Sequence, residues 1–246
     1  MESSLKTPIG ILRVLIVIAV LITTLLLVVI VGEPKPNWIF LSGSAMIVVI
    51  ALVNFVDKRG DANWSRFVLF MFIAMFICFI GDLLMAEVFY IIPEESLING
   101  ILMFTLGHVF YLLALKDRSP LILRNEKPRL ITRNLGIWVL CIVVVIILFV
   151  FTIYDPTDMV ISAGIFGYGL LLISVVAFSL SKRFDEFPQL FSICLFLGFI
   201  LFFISDYIIG YRLTHPGFLS DMEAVGVTYL LGQLSIHLSS FFGGNT

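Results

Sequence analysis

Residues 76–90 read FICFIGDLLMAEVFY. Asp82 sits among Phe, Ile, Leu and Met, and Glu87 follows five residues later. An Asp at the centre of a membrane-spanning helix costs roughly 2.5–3.5 kcal/mol on insertion scales, so it is a functional candidate by default. Whether the run is a membrane span follows from the rest of the chain. Its 246 residues are 60% hydrophobic and 13% charged, with a mean hydropathy of +1.12. A soluble domain is typically about 25% charged, so this composition is that of a polytopic membrane protein. The net charge of −2 and the lack of a basic patch give no sign of nucleic-acid binding. Cys78, Cys141 and Cys194 each stand alone in apolar runs with no CxxC pair, so disulfides and cysteine–metal sites are not expected. Lys6 and Arg13 precede a long apolar run that mimics a signal peptide. It lacks a small-x-small cleavage site and is expected to be retained as the first span.

A spanning helix needs about 20 mostly apolar residues. Eight segments qualify: about 9–31, 38–56, 66–91, 98–115, 133–154, 159–180, 189–211 and 223–242. The breaks carry turn chemistry, as in GEPKPN (32–37), DKRGDAN (57–63), IPEES (92–96), YDPTD (154–158) and THPG (214–217). The expected fold is all-α, with eight transmembrane helices in a single transmembrane domain over 1–246. Lys and Arg in short loops set orientation. One side holds Lys6, Arg13, Lys58, Arg59, Arg66, Lys116, Arg118, Arg124, Lys127, Arg129, Arg133, Lys182 and Arg183, and the other holds Lys35 and Arg212. That split of 13 to 2 predicts both termini in the cytoplasm and an even number of spans. An integral multi-pass protein, expected in the cell membrane, follows.

A shift of 124 residues lays FIGD (79–82) on FISD (203–206) and DKRGD (57–61) on SKRFD (181–185). LGH (106–108) falls near LGQ (231–233) with a slip of one residue. Pseudo-repeats over about 9–118 and 133–242 have four spans each. They are expected to form a parallel repeat about an axis along the membrane normal.

At about 1.5 Å per residue, Asp82 lies roughly 24 Å up span 3 and Asp206 roughly 25 Å up span 7. The repeat would face them at one depth, where two carboxylates away from water share a proton more readily than both ionise. Such a pair offers a general acid beside a charged stabiliser or base. In span 4, Phe104, Gly107, His108 and Tyr111 share a helical face by spacings of three and four. The short loop from span 3 is expected to bring His108 near Asp82. Span 8 offers Gly226, Tyr229, Gln233 and His237 on one face. Of these, His237 lies deeper and reads first as a packing residue. Glu87, near the outer interface, could bind a head group or simply reach water. Gly164, Gly167 and Gly169 read first as close helix packing, and Tyr168 among them could enter a shared cavity. Arg212, at the outer end of span 7, could meet a lipid phosphate or act as an interfacial anchor.

Several chemistries are disfavoured. A retinal protein needs a late-span lysine, and no Lys lies inside these spans. Zinc hydrolysis wants about three His or Cys ligands around an open position, whereas only His108, His215 and His237 exist. Phe79 and Ile80 replace the GxGD form of intramembrane aspartyl proteases. No Gly-x-Ser-x-Gly elbow or Walker loop occurs. No metal or other cofactor is expected.

Four pieces in order, GDLL (81–84), FTLGHVFY (104–111), GFILFFISD (198–206) and YLLGQL (229–234), resemble the YhhN-type lysoplasmalogenase family over nearly the whole chain. The resemblance implies a membrane lipid hydrolase that cleaves the vinyl ether bond of lysoplasmalogens to a fatty aldehyde and a glycerophospho-head group. Carried onto this chain, it implies Asp82 and Asp206 as the paired acids, with His108, Tyr111, Tyr229 and Gln233 lining the same pocket. The implied partners are a lysophospholipid from the bilayer and water. Tyr168, Glu87 and Arg212 complete the expected substrate contacts. Another class remains open, a proton-coupled lipid or small-molecule transporter using the same carboxylates. Monomer and homodimer are both open.

Overall fold

The structure is a computed structural model describing residues 7–30, 37–93, 95–117, 128–156, 159–182, 187–219 and 223–243. Eight helices follow one another: α1 Pro8–Val29, α2 Trp38–Lys58, α3 Ser65–Met85, α4 Ser96–Asp117, α5 Pro128–Leu148, α6 Met159–Lys182, α7 Gln189–Thr214 and α8 Glu223–Phe242. A π-helical turn, Phe149–Ile153, extends α5. There is no strand among the described residues, and all eight helices are long and apolar enough to cross a membrane.

Local chemistry sets several ends. Thr7 caps α1 by accepting from the Gly10 amide at 3.1 Å, with Pro8 at the first helical position. Asn37 caps α2 through the Phe40 amide at 2.9 Å. The third span is shorter than its apolar run suggests: α3 ends at Met85 rather than near residue 91. The Ala86 amide bonds the Asp82 carbonyl at 2.9 Å and the Val88 amide bonds Leu83 at 3.0 Å. Glu87 adopts a left-handed φ of 62° between them, which closes the helix. Apolar residues past that turn keep the run hydrophobic without continuing the helix.

Sequence neighbours pack as α1–α2–α3–α4 and α5–α6–α7–α8. The two halves join where α4 meets α6 and where α8 meets α1, α2 and α3. Lipid sorts the helices: the most apolar span, in α5, is 17% buried, and the least apolar, α8, is 61% buried. Between lipid-solvated helices there is no hydrophobic driving force, so association relies on close approach at small residues. An ideal Cβ on Gly107 would stand 3.2 Å from the Ala74 carbonyl oxygen and 3.6 Å from the Cys78 amide nitrogen. On Gly232 it would stand 3.0 Å from the Gly198 carbonyl oxygen and 2.9 Å from the Phe202 amide nitrogen. Gly198 and Phe202 each lie 124 residues after Ala74 and Cys78, so the α3–α4 and α7–α8 crossings make corresponding contacts. Asp82 and Asp206 are each the eighteenth residue of their helices.

Gly164 and Gly167 do not make close packing contacts. Both are exposed, and a Cβ on either would meet nothing within 4 Å. Glycine spacing alone does not say which helical face meets a neighbour. Gly164→Ala is therefore expected to raise stability by up to about 1 kcal/mol through backbone entropy, read as a higher melting temperature.

At one end of the bundle Arg13 pairs with Asp57 at 2.9 Å, and Lys58 lies 4.7 Å from the centre of the Trp64 ring. This basic end carries the described part of the Lys and Arg excess. Lys6, Lys35, Arg118, Arg124, Lys127 and Arg183, and with Arg183 part of the SKRFD match, lie outside the described residues.

Candidate active site

Asp82 lies one turn from the end of α3 and is 1% exposed. A buried carboxylate needs hydrogen-bond donors, and two hydroxyls supply them to Oδ2: Ser44 of α2 donates to it, and Tyr229 of α8 donates at 2.9 Å. Asp206 of α7 accepts a hydrogen bond from the Tyr168 hydroxyl of α6. Ser44 and Tyr168 each precede their aspartate by 38 residues, and the second pair follows the first by 124 residues. The carboxylates lie within electrostatic range of one another but do not share a hydrogen bond.

Aromatic rings fill the space around and between these pairs. Phe202 packs 5.2 Å from Tyr229 and 4.7 Å from His108, centre to centre. Phe104 touches both Phe202 and Tyr229, and His108 meets Tyr168 edge-on at 5.8 Å. His108 hydrogen-bonds neither aspartate. Its Nδ1 donates to the Phe104 carbonyl at 2.7 Å, one turn back along its own helix, which satisfies one ring nitrogen and turns the ring towards Phe202.

One turn deeper, the Tyr111 hydroxyl donates to Gln233 Oε1 at 2.7 Å. Having given its single proton there, the phenolic oxygen accepts from His237 Nε2 at 3.1 Å. The Cys78 thiol lies against Gln233. His237 is thus part of a polar network, although its depth reads first as packing. Asn54 of α2 donates to the His237 carbonyl at 2.9 Å.

The two aspartates differ in access. Asp82 lines neither of two clefts, of about 50 and 40 Å³, whereas Asp206 and Tyr168 line both. The first runs between α5, α6 and α7 past Val145, Leu148, Phe149, Leu172 and Phe203. The second runs between α4, α6 and α7 past Leu97, Ile101, Phe104, Ile209 and Leu213. Ile165 and Gly210 are also common to both, so the clefts meet at Asp206. Their walls are apolar except for the hydroxyls of Tyr168 and Tyr207 and the carboxylate. Arg212 donates to the Phe218 carbonyl at 3.1 Å, near the end of α7. Glu87 is exposed, beyond the end of α3. No group of three His, Cys, Asp or Glu residues arranged to hold a metal occurs among the described residues.

Ser44, Asn54, Cys78 and Phe202 were not singled out by sequence reasoning. The 124-residue shift could have found Ser44 as the counterpart of Tyr168. Cys78 and Phe202 are likewise counterparts, each one turn before an aspartate. Asn54 carried no signal beyond being an amide in an apolar span.

A family model described as the YhhN family matches residues 38–240, which include every residue named in this site. No curated protein and no solved structure matches.

Proposed function

The chain belongs to the YhhN family, the lysoplasmalogenase family, and on that premise we propose that it hydrolyses the vinyl ether bond of a lysoplasmalogen, with Asp206 as the carboxyl that meets the substrate. The observation carrying this reading is that two apolar clefts meet at Asp206. The part of a single alkyl chain next to the vinyl ether enters the α5–α6–α7 cleft, and the rest of the chain runs out into the bilayer. The glycerol leads out along the α4–α6–α7 cleft towards Arg212, six residues and roughly 9 Å further along α7. That puts the bond joining chain to glycerol beside the carboxyl, and Arg212 near the phosphate.

The reaction needs no group beyond acids and water. The carboxyl of Asp206 gives its proton to the β-carbon of the vinyl ether. The double bond's electrons form the new C–H bond, and the α-carbon becomes an oxocarbenium. The carboxylate left behind, with Asp82 in the same field, offsets that positive charge. Water attacks the α-carbon and loses a proton to the carboxylate pair. The resulting hemiacetal breaks its C–O bond to give a fatty aldehyde and the glycerophospho-alcohol, with water's hydrogens shared between them. Tyr168 holds Asp206 through its hydroxyl. Asp82, bonded to Ser44 and Tyr229, acts as a positioning residue for the α2–α3–α8 side of the site. A parallel repeat accounts for the paired aspartates, and the loss of symmetry between Ser44 and Tyr168 accounts for their different access.

The test is to give the purified protein a lysoplasmenyl lipid and detect fatty aldehyde and the glycerophospho-head group by mass spectrometry. Release of both in equal amounts supports the reading. Uptake into vesicles that depends on a pH gradient, with no product formed, supports the proton-coupled carrier instead.

A further inference from the structure

A second run of buried polar groups leads away from the aspartates, on the side opposite the clefts. Along α8, Tyr229, Gln233, His237 and Ser240 follow at spacings of four, four and three, which keeps them on one helical face. They span roughly 16 Å, from the Asp82 hydrogen bond to the basic end. Asn54 of α2 lies beside His237, and half-buried Lys58 donates to the Ser240 carbonyl. Four atoms along and beside this face are fully buried without a protein partner: His237 Nδ1, Asn54 Oδ1, Ser240 Oγ and, on α4, His108 Nε2. The Gln233 amide nitrogen has no hydrogen-bond partner either, only the weakly accepting Cys78 sulfur near it.

The protonation pattern makes the first two and His108 alike. His237 spends its ring proton on Tyr111, and His108 spends its own on Phe104. His237 Nδ1, His108 Nε2 and Asn54 Oδ1 are therefore all acceptors lacking a donor. No protein donor reaches any of these three acceptors, and the unpartnered donors in the same run, the Gln233 amide and the Ser240 hydroxyl, bond none of them. Water, which donates two protons and accepts two, can bridge them.

We infer that ordered water occupies the α2–α3–α8 side of the bundle, forming a file from Lys58 and Ser240 past Asn54, His237 and Gln233 to Tyr229 and Asp82. This is a water-binding site separate from the lipid clefts. It rests on the hydrolase reading only for its purpose, which is to bring water from the basic end as far as Asp82 while lipid enters sideways at Asp206.

The experiment is millisecond hydroxyl-radical labelling by radiolysis of water, on the full chain in lipid nanodiscs, read by mass spectrometry. Radicals form where water sits, so a buried thiol is oxidised only if water lies beside it. Cys78 and Cys141 are both buried free thiols, but Cys141 sits on α5 away from the file. Cys78 is expected to be labelled at least tenfold faster than Cys141, and Met75, which the Tyr111 hydroxyl touches, should also be labelled. Equal slow labelling of the two cysteines overturns the inference without touching the hydrolase reading. His237→Leu and Asn54→Leu, checked for folding by melting, should bring Cys78 down towards Cys141. Undiminished labelling in both variants overturns the file as drawn. If neither variant folds, the wild-type comparison alone decides. In an active preparation His237→Leu should lower kcat severalfold with KM unchanged. If aldehyde is never released, the labelling still tests the water.

Discussion

Asp206→Asn is expected to lower aldehyde release by about 10³-fold, within the range that a positioned general acid contributes. The replacement keeps the size of the side chain and can still accept from Tyr168, but its amide cannot protonate carbon. The parallel change on the first half, Asp82→Asn, should cost only about tenfold, because Asp82 lines neither cleft. It should act on kcat with little change in KM. Both rates come from one assay, with the variants first matched for yield and melting temperature. Equal losses in the two variants would show that the carboxylates act as an interchangeable pair, and the division of labour between them would be wrong.

Gly198→Val should unfold or severely weaken the protein. A Cβ there would stand 2.7 Å from the Ile236 amide nitrogen and 2.8 Å from the Gly232 carbonyl oxygen. Both are backbone atoms of α8, so no side chain can swing aside to relieve the clash. Overpacking typically costs 1–3 kcal/mol, and rigid backbone on two sides puts this change near or above about 3 kcal/mol. The measurement is the melting temperature in detergent beside Gly164→Ala, whose position is open. If Gly198→Val melts with the wild type, α7 and α8 do not cross as closely as described.

The sequence made the spans legible because a membrane demands about 20 apolar residues whatever the helices later do to one another. It also made the positions of the aspartates along their helices legible. Position depends on counting along a helix, and Asp82 and Asp206 proved to be equally far along theirs. What it could not give is rotation. The chain order suggests His108 near Asp82 but not which way its ring turns: it bonds the Phe104 carbonyl of its own helix and packs on Phe202. Gly164 and Gly167 look like a packing stripe, yet they face outwards, while isolated Gly107, Gly198 and Gly232 carry the close contacts. The end of α3 falls short of its apolar run for a related reason. Hydrophobicity reports where a segment lies, and the turn at Glu87 decides where the helix stops. Ser44 shows a third kind of gap, since a serine beside glycine in an apolar span reads as small-residue packing until its aspartate is seen.

The most direct measurement of the central claim uses deuterium. The protein, equilibrated in D₂O, is given a lysoplasmenyl lipid, and the aldehyde is analysed by mass spectrometry before it can enolise. Protonation at the β-carbon by a solvent-exchanged Asp206 predicts one deuterium on the carbon next to the aldehyde group, and almost no aldehyde from Asp206→Asn. Aldehyde lacking that deuterium, or formed equally well by Asp206→Asn, would contradict acid cleavage of the vinyl ether at Asp206.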